Sequence, residues 1–122
     1  MSADLPEHDL DDRPGDPVVV QTWLGAPARS YPRRPATVLA VLDRAVAHRP
    51  GATAFVDGPR SLTYAAFAER VETAARALAS RGLQPGDAVA VAAGNSLETA
   101  VLLFACARAR LVLVGLSTRL AP

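Results

Sequence analysis

Two continuous apolar runs lie close together near the end of this chain, "AVAVAA" from Ala88 and "LVLVGL" from Leu111. Neither alternates apolar with polar residues, as a strand with one wet face would, so both are expected to be strands covered on both faces. Between them, residues from about 96 to 109 form a helix-length segment that is apolar nearly all round. Strand, helix and strand with a crossover of that length make a parallel βαβ unit, right-handed by strong precedent. The expected fold class is therefore α/β, a mostly parallel sheet flanked by helices. Asn95 and Glu98 have capping-box spacing for the start of this helix, although the usual box begins with Ser or Thr.

The rest of the chain is read around that unit. The clearest helix is 64–80, where Tyr64, Phe67, Ala68, Val71, Ala74, Ala75 and Leu78 form one apolar stripe. Thr63 can cap its start, and Gly82 suits the left-handed turn after its end. "LQPGD" then supplies a tight turn with Pro85 and Gly86 as the central pair. Upstream, Val38, Val41, Leu42 and Ala45 predict a helix over 38–48 with Thr37 as N-cap, closed by "RPG" because Pro50 disfavours helix at Arg49. "TAFVDGPRSLTY" reads as a short hairpin, with strands around 53–56 and 60–62 about Asp57, Gly58 and Pro59.

Three regions follow from these elements. Residues 1–17 are expected to be a disordered acidic tail, punctuated by Pro6, Pro14, Gly15 and Pro17. Residues 18–36 are expected to be an extended arm anchored by Val18 to Val20, Trp23, Leu24 and Tyr31, since its prolines forbid a long regular element. Residues 37–122 carry the α/β pattern.

Charge and composition exclude several functions. The net charge of +1 hides an asymmetry, with six acids against Arg13 in residues 1–16 and twelve arginines against six acids from residue 17 onward. Those arginines are scattered, with no basic stripe and no interleaved aromatics, so no nucleic-acid partner is expected. The chain has no lysine, which removes a Walker-type phosphate loop, a Schiff base and a lysine-activated nucleophile within these residues. Cys106 is the only cysteine and sits in "LLFACARA", where a free thiol behaves as a small buried hydrophobe. His8 and His48 have no partner at metal-ligand spacing.

"ETAVLLFACARARLVLV" is broken by Arg108 and Arg110, so no membrane span is expected. The acidic N-terminus does not have the form of a secretory signal, and the expected location is cytoplasmic. Ser96 and Ser117 follow strands, where α/β folds place functional hydroxyls. Their simpler roles are a helix start and a loop residue. No catalytic, cofactor-binding or metal-binding residue is assigned from composition and spacing.

The order of elements resembles the opening of adenylate-forming enzymes, the AMP-dependent synthetases that include acyl-CoA synthetases, luciferases and peptide-synthetase adenylation domains. The carriers are Leu62-Thr63-Tyr64, the helix with Arg70-Val71, "RGLQPGD" from Arg81 with Val89, Asn95-Ser96 with Glu98, and the last strand with Arg119. The likeness covers about residues 37 to 122. The chain departs from the family where Gly94 and Gly115 stand for proline, where Ser117-Thr118 stand for Asn-Pro, and where Arg110 stands for glycine at a tight helix-to-strand turn.

The resemblance implies an ATP-dependent ligase in which a carboxylate attacks the α-phosphate of Mg-ATP, and the acyl-adenylate then passes to a thiol such as that of coenzyme A. The family's phosphate loop, acidic motifs and catalytic lysine lie downstream of the matched region. The expectation is thus an N-terminal piece of such a ligase, inactive alone, binding no cofactor itself and partnered by the remainder of the synthetase. A non-catalytic interaction module pairing through an open sheet edge is the competing reading. A small nucleotide-binding domain comes third, disfavoured by the absent lysine and glycine loop.

Overall fold

The structure, a computed structural model, describes residues 18–31 and 35–118. The chain divides into two compact units, Met1–Pro35 and Ala36–Pro122. The acidic tail expected over 1–17 lies outside the described residues.

In the first unit, β1 (Val19–Trp23) and β2 (Ala26–Ser30) pair antiparallel from Val19↔Ser30 to Trp23↔Ala26. This stretch is therefore a hairpin, where the sequence suggested an extended arm. Its loop is Leu24-Gly25, both at positive φ (50° and 83°), as a type I′ turn requires. Leucine is a poor residue for that conformation, which is why the sequence gives no turn signal here. Pro27 is tolerated for a geometric reason. Narrow and wide pairs alternate from the turn, so Thr22↔Pro27 is a non-hydrogen-bonded pair and the missing N–H would have pointed outward.

The second unit runs α1 (Val38–His48), β3 (Thr53–Asp57), β4 (Arg60–Thr63), α2 (Tyr64–Ser80), β5 (Ala88–Val91), α3 (Leu97–Arg108) and β6 (Val112–Gly115). Thr37 caps α1 by accepting the Ala40 N–H at 3.1 Å, and Thr63 caps α2 by accepting that of Ala66 at 3.2 Å. Both α1 and α2 match the sequence reading. The Gln84–Asp87 turn closes through Asp87 N–H to the Gln84 carbonyl at 3.0 Å, with Gly86 at φ +98° after Pro85, a type II turn.

The fold is α/β, but parallel pairing is confined to β5–β6, in register from Ala88↔Val112 to Val91↔Gly115. The β3–β4 pair is an antiparallel hairpin with Gly58 at φ +57° as the first of its two loop residues. Thus the described residues form three two-stranded sheets: the parallel β5–β6 pair and the short β3–β4 hairpin that the sequence predicts, and the β1–β2 hairpin that it does not. The apolar runs are not covered on both faces. Val89, Val91 and Leu113 are half-buried, while Ala88, Ala90, Val112 and Val114 are exposed.

The core has two connected halves. Phe67 and Val71, both fully buried, gather Leu42 of α1, Leu62 of β4 and Leu97 and Val101 of α3. Phe67 stacks at a tilt on Phe55 (centroids 4.4 Å apart) and meets Phe104 edge-on at 5.2 Å. Further along, Ala75 and Leu78 of α2 meet Ala105, Cys106 and Leu111, with Val89 and Leu113 packed on them. Burying a side chain of Phe67's size contributes roughly 2–3 kcal/mol. The aromatic trio therefore anchors the hairpin to α2 and α3.

Candidate functional site

In open α/β sheets, chemistry gathers beyond the carboxyl ends of the strands. Here that region comprises the segment from β5 to α3, residues 92–96, and the residues after β6. Ser96 is the N-cap of α3, its Oγ accepting the Thr99 N–H at 3.2 Å. Asn95, placed by sequence spacing as the cap, is exposed one residue earlier. The cap moves because serine's short hydroxyl reaches the third N–H from this extended backbone, and Thr99 Oγ1 then donates back to the Gly94 carbonyl at 2.9 Å.

Glu98, freed from capping-box duty, turns to Arg60 on β4. Arg60 lies between two carboxylates, bonding Asp57 at the end of its own hairpin and both oxygens of Glu98, with Nη2 3.2 Å from Glu98 Oε2. Asp57 Oδ2 also accepts the Leu97 N–H at 3.3 Å, satisfying a free donor of the first helical turn. The Arg60 guanidinium holds the Glu98 carboxyl down at about 2, chiefly by hydrogen bonding, and the two acids raise the Arg60 pKa. Beside this group runs an open groove of about 380 Å³ lined by Phe55, Val56, Leu97, Ala100 and Leu103, with Asn95 and Ser96 at its rim.

These groups make a brace. A guanidinium already shared by two carboxylates carries no spare charge for an anionic substrate, and Glu98, the carboxylate that reaches the Ser96 hydroxyl, is itself held by Arg60. Nothing local in the sequence marks the brace, since Arg60 and Glu98 are 38 positions apart. A second tie runs from Arg108, with Nη2 2.9 Å from Asp43 Oδ1 and Nε 2.7 Å from Glu72 Oε1, the latter off the hydrogen-bond line. It joins the three helices.

The remaining sequence candidates stay apart. Cys106 is 1% exposed and burial pushes its thiol pKa up, so the thiolate is suppressed. His48 is the exposed last residue of α1, and His8 lies outside the described residues. Ser117 is exposed beyond β6. Among the described residues there is no cluster of His, Cys, Asp or Glu able to hold a metal, and no helix is long and apolar enough to cross a membrane. With no lysine in the chain, these residues do not fit Mg-ATP, and no reaction step is assigned to them.

The segments that resembled a known family fall on defined elements: Leu62-Thr63-Tyr64 at the β4–α2 junction, Arg81–Asp87 in the turn before β5, and Asn95-Ser96 with Glu98 at the head of α3. Comparison with known proteins agrees. A family described as "AMP-binding enzyme" matches residues 42–122. AMB antimetabolite synthetase AmbE of Pseudomonas aeruginosa is 37% identical over 92 residues, 75% of this chain and 4% of that protein. An Arthrobacter 4-chlorobenzoate–CoA ligase is 42% identical over 78 residues, 61% of this chain and 15% of the ligase.

Among solved structures, the N-terminal subdomain of Klebsiella oxytoca NpsA superposes with a TM-score of 0.65 at 26% identity, over 70% of this chain and 22% of that one. The chain thus spans only a small part of the proteins it matches. By its matched sequence over two thirds of its length, and by its fold, this chain belongs to the AMP-binding, adenylate-forming enzyme family.

Proposed function

We propose that these residues are the opening segment of an ATP-dependent acid–thiol ligase. The complete enzyme joins a carboxylic acid to AMP with release of pyrophosphate and passes the acyl group to coenzyme A. Under this reading ATP, Mg and CoA are bound by the remainder of the synthetase, the enzyme works in the cytoplasm, and the 122-residue chain alone is inactive. The contribution of these residues is structural: a braced helix–hairpin body that carries the first parallel strand pair.

The observation that carries the reading is the 42% identity to a CoA ligase over 78 residues, within a chain whose residues 42–122 match the AMP-binding enzyme family. The competing reading, an interaction module that pairs through the edges of β5 and β6, draws on the same two-stranded sheet.

One chimera separates them. Residues 42–122 are placed in the Arthrobacter ligase in exchange for its matching segment, and ligation of 4-chlorobenzoate to CoA is measured. A ligase segment restores a working enzyme. A chimera that folds but ligates nothing would refute the proposal, as would ATP–pyrophosphate exchange by the isolated chain with a mixture of carboxylic acids.

A further inference from the structure

We draw no further inference here: the strongest candidate, the exposed apolar surface of Val20, Trp23 and Leu24 on the β1–β2 hairpin, carries nothing because nothing in the structure shows what covers it.

Discussion

Arg110 gives the sharpest test of how this chain closes α3. The helix ends in a Schellman pattern, with Leu111 N–H bonding the Cys106 carbonyl at 2.8 Å and Arg110 N–H bonding that of Ala107 at 3.2 Å. The pattern puts Arg110 at φ +60°, where its Cβ crowds the backbone. The arrangement persists because Leu111 is 8% exposed in the core and the Arg110 carbonyl accepts the Gly86 N–H at 2.8 Å, which fixes the entry to β6.

Arg110→Gly removes a conformational cost of about 1–2 kcal/mol, typical of an L-residue held left-handed. Against this stand about 0.5–1 kcal/mol of extra unfolded-chain entropy and a few tenths for losing a cation at the helix C-terminus. The net expectation is a gain of about 0.5 kcal/mol. Arg110→Ala removes the same charge but keeps the strain, so the comparison between glycine and alanine isolates the backbone. Urea unfolding followed by circular dichroism should find the glycine variant more stable than the alanine variant by about 1 kcal/mol. Equal stability, or alanine ahead, would refute the argument that strain at this position is what separates the chain from a glycine-bearing turn.

Other consequences follow from the brace, the first hairpin and the thiol. Glu98 titrates near 2 when folded, below its ordinary value of 4.5, so its contribution is present above pH 4.5 and is lost as pH falls toward 2. Glu98→Gln should flatten that part of the stability–pH curve, and an unchanged slope between pH 4.5 and 2 would show that Arg60 does not hold the carboxylate in solution. Leu24→Asn places a residue that tolerates positive φ at the β1–β2 turn. It should slow amide exchange across that hairpin, with a gain of roughly 0.5–1 kcal/mol read from exchange rates. Cys106 should resist a maleimide reagent in the native chain and react fully in denaturant; rapid native labelling would contradict its burial between α2 and β6.

Several features were legible in the sequence because they are local. The stripe from Tyr64 to Leu78 encodes one buried face at helical spacing, and Thr37 and Thr63 stand at the position from which a hydroxyl reaches an N–H three residues on. Pro85-Gly86 writes its own turn. The family resemblance was readable for the same reason, since its carriers are short segments at junctions between elements whose order is linear. Arg110 was also visible as an oddity, and the structure gives its physical form as a left-handed backbone.

Tertiary structure decided what depends on partners distant in the chain. Ser96 rather than Asn95 caps α3, and Asp57 reaches across 40 positions to the Leu97 N–H, because packing of the Phe55–Phe67–Phe104 trio brings the β3–β4 hairpin to the helix start. The first hairpin was hidden because Leu24 gives no turn signal and Pro27 reads as a strand breaker, until its register places it at a non-hydrogen-bonded pair. The apolar strands promised burial on both sides, yet α3 and its neighbours cover only the face of Val89 and Leu113. Hydrophobic pattern states what a segment needs, and three-dimensional packing determines which of those needs this polypeptide meets.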